Sequence, residues 1–182
     1  MKCSSLTYVR KLSKDSSLAI LPFNVAANAI GVSRAAIERM LADGRLEEIV
    51  VDDTRCVRAH GVADFVAKMD HRVTVAFARL EVVARQRETL TYRPLMEEVE
   101  LDYTLSRDRN VIANVLDRVS RRSNRENGIL LSVLVHRKNG EALPGPGFFS
   151  LARELDYAVG DKAEFVEEQT ERVWAHYRRR AA

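Results

Sequence analysis

Residues 23–46 read FNVAANAIGVSRAAIERMLADGRL, and this stretch decides the fold of the first part of the chain. A short apolar helix is predicted before Gly31, because glycine readily adopts the positive φ that a sharp turn between two helices needs. Ser33 is a typical N-cap, so a second helix is predicted to begin there and run to about Asp43. Gly44 then serves as its C-terminal stop. The stretch therefore predicts a helix-turn-helix.

The second of these helices is amphipathic. Ile37, Met40 and Leu41 share one face, which is expected to pack on a core. The opposite face is free to enter a DNA groove, and its predicted contact residues are Ser33, Arg34, Ala35, Glu38 and Arg39. For Glu38 two interpretations stay open: acceptance of a hydrogen bond from a cytosine amino group, or an ion pair with Arg34 one turn earlier.

Residues 23–67 resemble the small winged DNA-binding domains of the excisionase and MerR-like group. Those domains follow the same turn with Asp-Gly-Arg-Leu, which stands here at 43–46. The resemblance implies a strand, a wing, a return strand and a closing helix, which would lie at 46–51, 52–54, 55–58 and 60–69. It also implies double-stranded DNA as the partner.

The tip of the implied wing departs from that group, in which glycine and basic residues are common. Asp52 and Asp53 stand there instead, and two carboxylates repel phosphates. Arg55 and Arg58 on the return strand are the remaining candidates for contact with the DNA backbone.

The composition limits the classes of protein and of site. The chain has 182 residues, 46% of them apolar, which suffices for one ordinary domain or two small ones. A net charge of +3 is mild for a nucleic-acid binder, so any basic surface must be local. The two cysteines and four histidines form no zinc-binding pattern, and no phosphate-binding glycine loop or nucleophile pair is present. We therefore expect no metal, no cofactor and no enzymatic activity.

The chain has no run of 18 apolar residues and no recognisable signal peptide at its start. The absence of a cysteine framework fits a reducing compartment. These features predict a cytoplasmic protein without a membrane partner.

Four segments are predicted along the chain. The first two are an arm over 1–22 with a short helix at 6–13 and a winged helix-turn-helix over 23–69. A connecting helix over 70–88 follows, and a second winged-helix-like domain with a C-terminal helix covers 89–182. The helical pattern from Gly61 onward is unusually long. It indicates either a coiled-coil seam that joins two chains along 61–88, or a connecting helix packed on its neighbours, or two helices that break near Asp70 and His71.

The second domain is predicted from the order of its elements. A helix opening at Thr91-Tyr92, a helix from 107 to a stop at Gly128, a buried strand over 129–136 and a turn at Asn139-Gly140 follow the order of a winged helix. Further helices are predicted at 148–155 and 161–180. The overall fold class is therefore mainly α with small β hairpins, that is, α+β.

The layout of this second domain resembles the winged-helix domain of DNA alkyltransferases, where Thr-Tyr opens a helix and Cys-His-Arg follows later. Here Val135 precedes His136-Arg137, so the thiolate that alkyl transfer requires is missing and only a DNA-binding shape is implied. The segment also resembles stretches of uncharacterised bacterial and phage proteins.

Candidate DNA contacts in this domain fall into three groups. The base-reading end of its long helix would carry Arg107, Arg109 and Asn110. The basic cluster at the other end comprises Arg118, Arg121, Arg122 and Arg125, which either contact phosphates or compensate the helix dipole. Arg137 and Lys138 would contact phosphates from the wing.

The sequence thus predicts a sequence-specific, double-stranded DNA-binding transcriptional regulator, a repressor or a phage or mobile-element control protein. It acts either as a homodimer through the long helix or as a monomer that uses both units. Two alternatives stay open: an architectural or excision factor that recruits a recombinase, and a protein-binding adaptor built on a helix-turn-helix scaffold.

Overall fold

The protein is described by a computed structural model that covers residues 2–3, 5–12, 14–138 and 142–179. It is mainly helical with a small sheet, which confirms the α+β class at that level. Its contacts divide the chain into two compact units, unit 1 over 1–70 and unit 2 over 71–182.

Unit 1 combines short helices with a four-stranded sheet. Its elements are β1 (Lys2–Cys3), α1 (Ser5–Leu12), β2 (Ile20–Leu21), α2 (Phe23–Ile30), α3 (Arg34–Ala42), β3 (Glu48–Val51), β4 (Thr54–Arg58) and the start of α4 (Ala59–Gln86). The strand order is β1-β3-β4-β2, with β1 parallel to β3 and the other pairs antiparallel. Residues 1–22, expected as a separate arm, therefore contribute two strands to this sheet.

The corner between α2 and α3 confirms the predicted turn. Gly31 has φ 80°, and its N–H donates to the Ala27 carbonyl at 2.9 Å. The Ser33 hydroxyl caps α3 by accepting from the Ala36 N–H at 3.3 Å. Ile37 is fully buried in the core of unit 1, as the amphipathic pattern predicts. The corner thus fixes which side of α3 faces solvent.

A tight hairpin joins β3 and β4. Asp52 and Asp53 have φ values of 44° and 60°, and positive φ at both central residues is the geometry that twisted two-residue hairpins favour. Strand β3 begins at Glu48 and not at the predicted Leu46. The side chain of Leu46 is buried in the core, and the backbone N–H of this residue donates to the Met40 carbonyl at 2.9 Å. The hairpin itself lies where the resemblance implies a wing.

Helix α4 is continuous over 28 residues, so the predicted alternative of a break near residues 70 and 71 is wrong. Its later part belongs to the core of unit 2, where the buried residues are Ala76, Phe77, Leu80, Val83 and Ala84. Side chains buried in the protein's own core are not available to a second chain. A coiled-coil homodimer along the whole of 61–88 is therefore incompatible with the burial of these residues.

Unit 2 packs helices around one short strand pair. Its further elements are β5 (Leu90–Thr91), α5 (Tyr92–Glu98), α6 (Ser106–Asn127), β6 (Val135–His136), α7 (Pro146–Glu154) and α8 (Lys162–Arg179). Strands β5 and β6 pair in parallel. Gly128 ends α6 with φ 67° and a bond from its N–H to the Asn124 carbonyl at 2.8 Å, as predicted.

The predicted buried strand over 129–136 is wrong for most of its length, because residues Leu131–Leu134 form a 3₁₀ helix. Here the hydroxyl groups of two buried serines of α6 form hydrogen bonds with backbone groups that would otherwise pair with a neighbouring strand. The Ser123 hydroxyl donates to the Ile129 carbonyl at 2.8 Å and accepts from the Leu131 N–H at 3.1 Å. Ser120 accepts from the Ser132 N–H at 3.2 Å.

The hairpin turn predicted at Asn139-Gly140 lies outside the described residues. Within residues 142–179 no strand pairs with β6, whose described partner is the parallel β5. Among the helices of the described ranges, none has the combination of length and apolar character needed to cross a bilayer.

Candidate nucleic-acid interface

The outward side of α3 is a short, open surface. Successive residues are about 100° apart around a helix, so Ala35 lies almost opposite the buried Ile37, and Ala42 lies near the same line. Both alanines are exposed, with Glu38 on one side of this line and Arg39 on the other. Small residues in the middle allow close approach of another surface, while the charged side chains flank it.

Arg34 begins α3 and remains accessible. Its side chain is 70% exposed and lies 3.5 Å from the Glu38 carboxylate, one turn further along. Its guanidinium also lies 5.4 Å from the centre of the Phe23 ring. An exposed pair of this kind contributes little free energy, so the guanidinium can exchange Glu38 for another acceptor at small cost.

Arg39 is the least committed of the predicted contact residues on α3. The side chain is exposed, and it makes no hydrogen bond or ion pair with any of the described residues. Arg45, just past the helix, is the opposite case. Asp43 holds its guanidinium through bonds of 2.9 and 2.6 Å, and this raises the pKa of Arg45 above its usual value.

The hairpin arginines are paired with acids of the same hairpin. Arg55 forms an ion pair with Glu48, and its guanidinium lies 5.2 Å from the Phe23 ring centre. Arg58 lies 3.1 Å from the Glu47 carboxylate and is only 25% exposed. These side chains follow the predicted positions, but their charges are already compensated.

The acidic tip of the hairpin has a structural partner. The Asp52 carboxylate accepts hydrogen bonds from both the N–H and the hydroxyl of Ser5, at the start of α1. These bonds lower the pKa of Asp52 below its ordinary value, with the Ser5 hydroxyl as the larger cause. The Asp52 carboxylate at the tip therefore has a hydrogen-bonding partner within unit 1, in its N-terminal segment.

In unit 2, the start of α6 is bound to its own surroundings. Arg107 pairs with the adjacent Asp108 at 3.2 Å. Arg109 donates to the Ser106 hydroxyl at 3.0 Å and to the Tyr103 carbonyl at 3.3 Å, so it closes the loop that precedes the helix. Asn110, the third predicted base-reading residue, is exposed.

The basic cluster further along α6 is also engaged internally. Arg121 pairs with Asp117 at 2.9 Å and with Glu154 of α7 at 2.5 Å, and these bonds raise its pKa. Arg122 pairs with Glu126 at 3.1 Å and lies 4.2 Å from the Phe77 ring centre. Arg118 is half-buried and also has a partner. These three side chains are held by contacts within unit 2, an arrangement that neither of the two interpretations anticipated.

Arg137 and Lys138 are both exposed, but they do not lie on a described hairpin. The Arg137 N–H donates to the Leu143 carbonyl at 3.1 Å, and its side chain lines a cavity of unit 2. Sequence reasoning missed this cavity, because its lining residues come from segments far apart in the chain.

Sequence reasoning also assigned no role to Phe23. Its buried ring stands next to two guanidinium groups, one from α3 and one from β4. An aromatic residue at the first position of α2, directly after Pro22, is the one local signal. Cys56 is buried, and this burial raises the pKa of its thiol, while His60 pairs with Asp64 at 3.2 Å.

No protein-family model matches the sequence, and no curated protein or solved structure is significantly similar to it.

Proposed function

We propose that the chain is a sequence-specific double-stranded DNA-binding regulator that reads the major groove with α3 of a winged helix-turn-helix formed by residues 23–69. A repressor or a control protein of a phage or mobile element fits this proposal. The proposal also treats the chain as non-enzymatic and unit 2 as a separate module without direct DNA contact.

The observation that carries the proposal is the contrast in how the predicted arginines are compensated. Arg39 has no partner among the described residues, and Arg34 has only an exposed carboxylate at 3.5 Å. The arginines of the hairpin are instead paired with acids, and so are Arg107, Arg121 and Arg122 of α6, while Arg109 donates to carbonyl groups. On α6 Arg125 alone lacks a partner among the described residues, whereas the outward side of α3 presents Arg34 and Arg39 together, one weakly paired and one unpaired.

The dimensions of this surface suit a duplex. An α-helix with its side chains is about 10–12 Å across, which fits a major groove about 12 Å wide, and the nine residues of α3 extend about 13 Å along it. Ala35 at the centre leaves room for close approach and offers a methyl group to thymine. Arg34 and Arg39 on either side are suited to bidentate contact with guanine or to phosphate contact.

The hairpin supports α3 in this proposal but does not contact phosphates. Both of its arginines are paired, and Asp52 and Asp53 at its tip would face like charge on the DNA backbone. Specific affinity would then rest on few residues, and non-specific affinity would be modest, in keeping with the net charge of +3.

Selection of bound sequences from a random duplex pool, followed by fluorescence anisotropy with the enriched duplex, tests the proposal. We expect an enriched motif, and binding that weakens as salt rises because phosphate contacts release counterions. The symmetry of the motif reports whether one or two chains bind. Absence of both enrichment and salt-dependent binding would reject the proposal in favour of the protein-binding adaptor.

Matched double variants locate the interface. Arg34→Ala with Arg39→Ala is expected to weaken binding of the selected duplex by at least about a hundredfold, since each lost base contact is worth a factor of ten or more. Arg93→Ala with Arg107→Ala removes the same charge from exposed side chains of unit 2 and should change affinity by less than about threefold. Equal losses in the two double variants would place the interface elsewhere.

A further inference from the structure

Unit 2 contains a cavity of about 560 Å³, which lies within the range of small-molecule sites. Its walls are mainly apolar and come from α5, α6 and α7. The side chains that form the apolar part are Met96, Ile112, Leu116, Phe148 and Leu151. A space of this size and character accepts an aromatic or branched aliphatic body.

The charges around the cavity do not cancel. Asp117 is its one acidic lining residue, and it is neutralised by the ion pair with Arg121 at 2.9 Å. Arg109 bonds only to carbonyl and hydroxyl oxygens, which leave its positive charge in place. Arg137 makes no side-chain hydrogen bond or ion pair within the described ranges. The cavity is therefore electropositive.

A phenol supplies a directed hydrogen-bond donor at the same site. The Tyr92 hydroxyl accepts from the Gly145 N–H at 3.0 Å, and its own proton has no acceptor among the residues that the structure describes. Burial raises the pKa of Tyr92, while nearby Arg137 acts in the opposite direction. The phenol thus stays protonated at neutral pH, and it lines the same cavity as Arg137.

Gly145 keeps this arrangement in place. A methyl group on its Cα would lie 2.9 Å from the Tyr92 hydroxyl oxygen, closer than side chains approach in practice. A larger residue at this position would therefore require the phenol or the backbone to shift, which would disturb the hydrogen bond between them.

We infer that this cavity binds a small organic anion, a carboxylate attached to an aromatic or branched apolar body. The carboxylate accepts from the Tyr92 hydroxyl and the Arg137 guanidinium, and the apolar body lies between Met96, Leu116 and Phe148. This site is independent of DNA binding by unit 1, and it makes unit 2 a sensor of such acids.

Two isosteric probes test the inference on the full chain: 2-naphthoate, which carries the charge, and 2-naphthamide, which does not. We expect saturable binding of 2-naphthoate below about 1 mM and at least about tenfold weaker binding of the amide, because a charge-assisted hydrogen bond is lost. Amide chemical shifts in ¹H–¹⁵N spectra should change around Tyr92, Ala113 and Gly147. Equal affinity for the two probes, shift changes elsewhere, or no saturation by about 1 mM would overturn the inference.

Three variants sharpen the test. Arg137→Gln should lower the affinity for 2-naphthoate about tenfold and leave the amide unaffected, whereas the neighbouring exposed Lys138→Gln should leave both within about twofold. Ala113→Trp, on the exposed rim of the cavity, should block both probes. An Arg137→Gln variant that binds 2-naphthoate as tightly as the unmodified chain would contradict the assigned role of the guanidinium.

Discussion

Helices α3 and α6 both present arginines toward solvent, and the carboxylates around them differ. On α3, Arg34 has one exposed partner and Arg39 has none among the described residues. On α6, Arg121 is held by two carboxylates and Arg122 by another at 3.1 Å. Arginine content alone would rank α6 as the stronger DNA-binding helix. The position of the acids reverses that order.

The serines of the two helices also differ, in whether they lie at the surface or in the core. The serine of α3 lies at its exposed start and caps the helix, while two serines of α6 point into the core and bind the chain segment that follows. We conclude that α3 contributes a surface and α6 a scaffold. Four predictions test this difference.

The largest effect is expected from Ser123→Ala, which should lower the free energy of unfolding by about 1–3 kcal/mol. The substitution leaves the Ile129 carbonyl and the Leu131 N–H without their partner inside a fully buried site. Urea denaturation measures the loss, and Ser150→Ala, at an exposed serine, is the control. A loss below about 0.5 kcal/mol would mean that the serines do not determine the 3₁₀ geometry.

A paired glycine substitution comes next. Gly31→Ala and Gly128→Ala each place a side chain at positive φ, so each should cost about 1 kcal/mol of stability. Only Gly31→Ala should also weaken binding of the selected duplex, because only that corner sets the direction of α3. Denaturation and anisotropy measure the two effects. If Gly128→Ala weakened DNA binding equally, unit 2 would take part in the contact.

Local signals explain how much of the fold was predictable. The α2–α3 corner needs only a glycine, a capping serine and a helical apolar pattern, all within about 20 residues of sequence. The end of α6 at Gly128 is equally local. By contrast, the two-residue strands β1 and β2 are too short to leave any periodic pattern, so the segment before Phe23 was expected as an arm.

Non-local partners explain what was missed. The apolar run at 129–136 fits a buried strand by composition, and it forms a 3₁₀ helix because serines of α6 occupy its backbone groups. Likewise, the carboxylate of Glu154 that binds Arg121 comes from a helix 33 residues further along the chain. Neither relation can be read from spacing, so the sequence alone could not show that Arg121 has an acidic partner on α7.

A smaller effect is expected from Arg121→Ala, which should lower the free energy of unfolding by at most about 1 kcal/mol. Both ion pairs are partly exposed, so salt should reduce this loss by screening. Denaturation at low and high ionic strength measures it, and affinity for the selected duplex should stay within about twofold. A marked loss of DNA binding would return this cluster to the interface.

The smallest effect concerns Asp102, which closes the loop before α6. Its carboxylate accepts from the Thr104 hydroxyl at 2.7 Å and from the Thr104 N–H at 2.8 Å, and these bonds lower its pKa below the usual 3.8. Because the pKa is lower in the folded state than in the unfolded state, the contribution is fully present above about 3.8 and is lost as pH falls through the folded value.

The urea midpoint of wild type should therefore exceed that of Asp102→Ala at neutral pH, and the difference should shrink as pH falls below about 3.8. Asp102→Asn keeps an oxygen acceptor without a titrating charge, so its midpoint should lie between the two at neutral pH. If the difference in urea midpoint between wild type and Asp102→Ala stayed the same in acid, the charge of the carboxylate would not be what holds this loop. The beginning of α6 would then depend on the other contacts of this loop, which are the bonds of Arg109 to the Tyr103 and Thr104 carbonyls and the bond from the Asp102 N–H to the Asp108 carboxylate.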